Sequence, residues 1–204
     1  MNTELFGAYL IITLLLMLTP GPIVTLVIAT GARDGVRPAL ITVAGTMLGN
    51  AILIGGIAAG LSVVVRYAAI LFEILRWVGA AYLIWLGIQA WRHAGAPATQ
   101  QTPRRGVYFT RGMLVAISNP KTIAFFTAFL PQFVDPALPV ERQLFVMCAV
   151  AVLMAGVTDA LWGITASAGR AFFLAPARVK LLGRLSGLAL IGGGIWLSLA
   201  RRPA

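Results

Sequence analysis

No charged side chain occurs between Glu4 and Arg33. The uncharged stretch Leu5–Ala32 exceeds the ~20 residues that carry an α-helix across a hydrocarbon core, and a second uncharged stretch covers Pro38–Val65. Of 204 residues, 59% are hydrophobic and only 11% charged, against about 25% charged in a soluble domain. Too few polar side chains exist to coat a globule. The chain therefore reads as an integral membrane protein with almost all of its length in the bilayer. The segment MNTE ahead of the first span lacks a positive side chain, and the apolar stretch outruns a usual signal-peptide core, so the first span is expected to be retained.

Hydrophobic windows place six helices near residues 5–31, 38–63, 68–91, 111–134, 143–168 and 181–200. The third and sixth have short uncharged cores, Trp77–Trp91 and Leu185–Ala200, and a strict 20-residue window would count five spans. Six is the expectation, because both can extend with long side chains snorkelling to the interface. The formal net charge of +10 would suggest nucleic acid for a soluble protein. Here the basic residues fall between spans, where they orient the chain. Arg33, Arg37, Arg92, Arg104, Arg105, Arg111, Arg170, Arg178, Lys180 and Arg184 lie on one side, against Arg66, Arg76, Arg142, Arg201 and Arg202 on the other. That bias puts the odd-numbered loops in the cytoplasm and both termini outside. The stretch GAPATQQTPRR within 94–110 reads as a cytoplasmic connector.

The first span is interrupted by TPGP, with Pro20, Gly21 and Pro22, and the fourth by SNPK, with Asn119, Pro120 and Lys121. Farther on, RWVGAAYLIWLG (76–87) resembles RLSGLALIGGGIWL (184–197). The halves thus read as two three-helix repeats, 1–93 and 111–204. Equivalent helices lie three spans apart, so the second repeat enters from the opposite side. Inverted repeats with broken helices at matching positions mark secondary transporters. The expected fold is an all-α membrane protein of six transmembrane helices, one transporter domain, with helices one and four broken at proline.

Proline lacks a backbone N–H and clashes with the preceding turn, so each break frees carbonyls that lipid cannot satisfy. Gly21 lets a neighbour approach, and Thr19 and Thr25 flank the break with hydroxyls. Three polar side chains lie within spans: Asn50 in helix two, Lys121 just after the second break, and Asp159 in helix five at the position matching Asn50. A carboxylate at such depth is unfavourable by about 2.5–3.5 kcal/mol on insertion scales unless paired, protonated or wet. Asp159 and Lys121 are expected to pair. An intramembrane acid can alternate between a proton and a cationic group, while Lys121 at a helix end can receive a carboxylate. Together they suit a zwitterion. The expected substrate site comprises Pro20, Gly21, Pro22, Asn50, Asn119, Pro120, Lys121 and Asp159, with Asp159 carrying the coupling proton. Gly45-x-x-x-Gly49, the series Gly55, Gly56 and Gly60, and Gly192–Gly194 are expected to pack helices. Glu73 and Arg76 are spaced to pair locally.

Other chemistry is poorly supplied. With one cysteine, Cys148, and one histidine, His93, neither a disulfide nor a Cys/His metal centre can form. The pairs an intramembrane protease needs are missing, no phosphate-binding loop occurs, and no cofactor is expected. Enzymes are thereby excluded. A membrane scaffold or assembly protein, or a divalent-cation carrier, are the alternatives, the latter with a poor ligand set.

The chain resembles the LysE/RhtB family of amino-acid exporters. The residues that carry the resemblance are Pro20-Gly21-Pro22, GARDGVR (31–37), GAAYLIWLG (79–87), Asn119-Pro120-Lys121, FLPQF (129–133), Asp159 and Trp162, in order along nearly the whole chain. The resemblance implies a bacterial inner-membrane, multi-pass carrier that exports amino acids or related metabolites in exchange for protons, as a homodimer. No nucleic-acid partner is expected.

Overall fold

The computed structural model describes residues 2–67, 69–95, 107–173 and 175–199, with side chains for all of these except 62–73 and 75. The described residues are helical almost throughout, as an apolar solvent demands, because a helix satisfies its own backbone. The elements are α1 (Thr3–Leu18), α2 (Pro22–Asp34), α3 (Val36–Tyr67), α4 (Ala69–Arg92), α5 (Tyr108–Ile117), α6 (Pro120–Phe129) with a 3-10 turn at Leu130–Phe133, α7 (Val140–Ala168), α8 (Arg170–Phe173) and α9 (Pro176–Leu199).

Both expected breaks are present. α1 and α2 meet at 50°, and α5 and the Pro120–Phe133 segment meet at 43°. Each second half starts with proline at its first turn, where the missing N–H goes unneeded. Three unbroken helices are long and apolar enough to cross a membrane, over Val36–Leu61, Val140–Ala168 and Pro176–Leu199; counting each bent pair as one span makes five. α4, with 24 residues, is not among these. The expected connector at 96–106, with Arg104 and Arg105, lies outside the described residues, as do Arg201, Arg202 and the side chains of Arg66 and Glu73.

Packing contacts establish how the helices run. Tyr9 donates its hydroxyl to the Met147 carbonyl at 2.7 Å, and farther along Gly31 abuts the carbonyl of Gly163, so α1 and α2 run parallel to α7. α3 runs antiparallel to α7: Ala39 meets Gly163, Met47 meets Gly156, and the Cys148 thiol approaches the Ile54 carbonyl. α5 runs parallel to α3, with Gly45 against Phe109 and Gly49 against Met113. α9 runs antiparallel to α4, where Gly87 meets Gly187 and Gly194 meets the Ala80 carbonyl. The two broken helices therefore point in opposite senses.

At Gly31, Gly45, Gly49, Gly87, Gly187 and Gly194 the approach is to backbone, which only glycine permits. A Cβ on Gly187 would lie 2.6 Å from the Gly87 carbonyl oxygen. The expected packing role holds for Gly45, Gly49 and Gly194 but not for Gly55, Gly56, Gly60 and Gly192, which have nothing within 4 Å, nor for Gly193, which comes only to 4.0 Å from Phe129 Cζ. Gly55, Gly56 and Gly60 lie on the exposed face of α3, while Ile54, Ala58 and Leu61 of the same stretch pack into the core.

Basic side chains gather as the charge bias predicts. The α2–α3 junction holds Arg33 and Arg37, the start of α5 holds Arg111, and α8 begins at Arg170. The end of α4 with Arg92 meets the start of α9 with Arg178, Lys180 and Arg184, since Gly95 touches Lys180 and Arg184 lies over the Trp91 ring. Leu182 packs on the cluster of Val24, Ile28, Ala32 and Ala166, which ties both groups to one end of the bundle. Arg142, at the start of α7, is at the other end.

Candidate functional site

The four polar candidates are buried, whereas Pro20, Gly21 and Pro120 are half-buried and Pro22 is exposed. Asn50 and Asp159 are 4% exposed, Asn119 2% and Lys121 7%. Each is held by a specific element. Asn119 is the N-cap of α6: its side-chain oxygen accepts from the Lys121 backbone N–H at 3.2 Å and its amide donates to Thr122 Oγ1 at 2.9 Å. The cap starts a helix at membrane depth without leaving its first donors bare. Pro120 follows it and sets the bend.

Lys121 then reaches across to the first break. Its Nζ donates to the Leu16 carbonyl at 2.8 Å and to the Thr19 carbonyl at 2.6 Å. These oxygens belong to the last turn of α1 and its C-cap, at the negative end of the helix dipole, and the Leu16 oxygen also accepts from the Thr19 N–H at 3.2 Å. Gly21 makes room for this arm: a Cβ there would fall 3.2 Å from Lys121 Nζ and 3.3 Å from two of its carbons. Pro20 and Gly21 form the extended link and Pro22 opens α2. Thr25, by contrast, is exposed. The two breaks, 100 residues apart in sequence, thus meet through one lysine.

The expected Lys121–Asp159 ion pair is not formed. Lys121 is occupied by the carbonyls of α1, and no nitrogen–oxygen contact within 4.0 Å joins it to Asp159. Asp159 instead lies 3.2 Å from Thr46 Oγ1 across the α3–α7 seam, where the single hydroxyl proton is shared between it and the Val43 carbonyl at 2.9 Å. The reason is direction: freed carbonyls at a helix C-terminus are the nearer acceptors for an arm leaving the start of α6. Thr46 was missed by sequence reading. Its signal was its place four residues before Asn50, on the same face of α3. Asn50 Oδ1, one turn along, has no hydrogen-bond partner among the described residues. A carboxylate held by one hydroxyl, with an unpartnered amide oxygen a turn away, can take up a proton or accept from an ammonium group. Among the described residues, no group of three or more His, Cys, Asp or Glu is placed to hold a metal ion.

Beside the Lys121 junction lies a cavity of about 380 Å³ between α1, α4, α6 and α9. Leu16 and Thr19, whose carbonyls hold the lysine, form part of its wall.

A family model for LysE type translocators matches residues 14–201. The chain belongs to this LysE family. A homoserine/homoserine lactone efflux protein of Salmonella typhimurium is 35% identical over 98% of this chain and 99% of its own length. A Vibrio cholerae protein named only as a membrane protein is 30% identical over 98% of this chain and all of its own. A leucine efflux protein of Salmonella choleraesuis is 30% identical over 66% of this chain and 65% of its own. No solved structure matches. The family is one of translocators, and its efflux members in this comparison are named for amino acids or their derivatives.

Proposed function

We propose that the protein exports amino acids or related small zwitterionic metabolites from the cytoplasm by proton antiport, as a multi-pass carrier of the bacterial inner membrane. The observation that carries this reading is the Lys121 bridge between two broken helices. In it a buried cation meets the opened backbone of α1, and Asp159 is likewise buried; broken helices of this kind are where secondary transporters hold their solutes. The relatives named as efflux proteins support amino acids as the class of solute.

The carrier is built as two inverted three-helix repeats over 1–93 and 111–204, joined by 94–110. Helix directions support this: α3 and α5 run parallel, so α4 must return the chain between them as a third pass, and α9 opposes α4 as a sixth. In this reading Pro20, Gly21, Pro22, Asn119 and Pro120 shape the site, Lys121 takes the solute carboxylate, and Asn50 and Asp159 face its ammonium group. Asp159 exchanges that ammonium for a proton, so one solute leaves as one proton enters. A homodimer is the expected assembly.

The test is efflux from cells preloaded with dipeptides, comparing the parent chain with Asp159→Asn at matched membrane abundance. Faster release of one or a few amino acids, collapsed by an uncoupler and lost in Asp159→Asn, is expected. Release unaffected by the substitution removes Asp159 from coupling; no accelerated release from the parent chain rejects amino-acid export and favours a scaffold.

A further inference from the structure

The cavity beside Lys121 has a composition unlike the polar site it adjoins. Its wall includes Ile12 and Leu16 of α1, Phe125 and Phe129 of α6, and Leu190 and Trp196 of α9. Phe129 stacks between Phe125 at 4.5 Å and Trp196 at 5.3 Å, so aromatic rings bridge α6 to α9. The volume of about 380 Å³ falls in the ~300–1,000 Å³ range of small-molecule sites.

Lysine has three N–H donors, and two of those on Lys121 are taken by the carbonyls of Leu16 and Thr19. The third has no partner among the described residues; Lys121 itself is not in the cavity wall, but Leu16 and Thr19, which hold its other two donors, are. We infer that this cavity is the side-chain subsite of the carrier: it admits an amino acid with an aliphatic or aromatic side chain, whose carboxylate takes the third donor of Lys121. The inference rests on the export reading and names its solute class. A hydroxyl or charged side chain would lose water among these rings without gaining a partner, which disfavours polar solutes. A lipid tail would fill the apolar part but bring no carboxylate to the lysine.

Two glycines of α9 make the subsite testable. A Cβ on Gly192 would meet nothing within 4 Å, and one on Gly193 would come only to 4.0 Å from Phe129 Cζ. Larger side chains there grow into empty volume rather than into a packed seam. Gly55, equally open but outside the cavity, provides the matched control.

Efflux of leucine, phenylalanine, alanine, serine and lysine is measured for the parent chain, Gly193→Leu, Gly192→Leu and Gly55→Leu at matched abundance. The parent chain releases leucine or phenylalanine fastest. Gly193→Leu and Gly192→Leu lower the leucine-to-alanine ratio by roughly tenfold or more, the scale of filling an apolar subsite, and Gly55→Leu leaves it unchanged. Preference for serine or lysine overturns the inference while leaving export intact. Equal loss of all solutes in the cavity variants also overturns it, because the cavity then serves packing or lipid. If the parent chain releases no amino acid, the export reading falls, and thermal stabilisation of the purified protein decides the subsite. Stabilisation by leucine that Gly193→Leu abolishes upholds it; no stabilisation by leucine overturns it.

Discussion

Lys121 is the residue on which the arrangement turns. Its ammonium gives the Leu16 carbonyl the donor that Pro20, four residues on, cannot supply, and it also holds the Thr19 carbonyl at the break. Replacing it by methionine keeps the apolar stem and removes the donors, leaving the Thr19 carbonyl without this partner and the Leu16 carbonyl with only the Thr19 N–H at 3.2 Å. At about 1–3 kcal/mol for an unsatisfied group, Lys121→Met is expected to lower the thermal midpoint of the purified protein and to abolish efflux. Lys121→Arg is a less informative change, since a planar fork cannot reproduce a compact ammonium beside Gly21. Asp159→Asn differs in kind: the amide oxygen still accepts from Thr46, so abundance should hold while gradient-driven transport is lost. A midpoint lowered as far by Asp159→Asn as by Lys121→Met would contradict that separation.

At the scale of elements, the fold depends on how helices start and how closely they approach. Asn119 caps α6 inside the protein. Its replacement by alanine removes an N-cap worth about 1 kcal/mol and frees Thr122, so partial loss of stability with residual transport is expected by thermal unfolding and efflux together. The α4–α9 seam is less forgiving. Gly187→Leu would drive a side chain into the Gly87 carbonyl, 2.6 Å from the first added carbon, and into the Trp91 backbone nitrogen at 2.9 Å. Backbone cannot yield as a side chain can, so the helices must separate along their length. Membrane abundance of Gly187→Leu should collapse, whereas Gly55→Leu, with the same added side chain, should accumulate normally.

For the whole molecule, the basic end and the opposing directions of α1–α2 and α5 make a claim about sidedness. By the charge bias, the positive end, around Gly35 and Arg170, is expected in the cytoplasm. The turn at Asp135–Leu138, which precedes α7 at the other end, belongs outside. Single cysteines placed at Gly35 and at Ala137, in a chain with Cys148 replaced by serine, should respond oppositely to an impermeant thiol reagent applied to intact cells. Ala137 should be labelled and Gly35 protected. Labelling at Gly35 alone would invert the orientation and turn the proposed exporter geometry round.

Contiguous residues carried a good deal of this protein by themselves. Span length, the proline breaks and the charge bias were legible, because hydrophobic thickness, backbone chemistry and local charge act on neighbours in the chain. The seam at Gly45 and Gly49 was legible too, as small residues one turn apart on one face. The same pattern misled at Gly55, Gly56 and Gly60, where composition was right but no partner helix lay opposite. Partner choice was decided only by the tertiary structure. Lys121 turned to Leu16 and Thr19 and not to Asp159, and Thr46 claimed Asp159. The cavity arose from residues of four helices, none of which marks it alone. Each outcome depends on the direction and rotation of helices packed against one another, quantities that no single stretch of sequence contains.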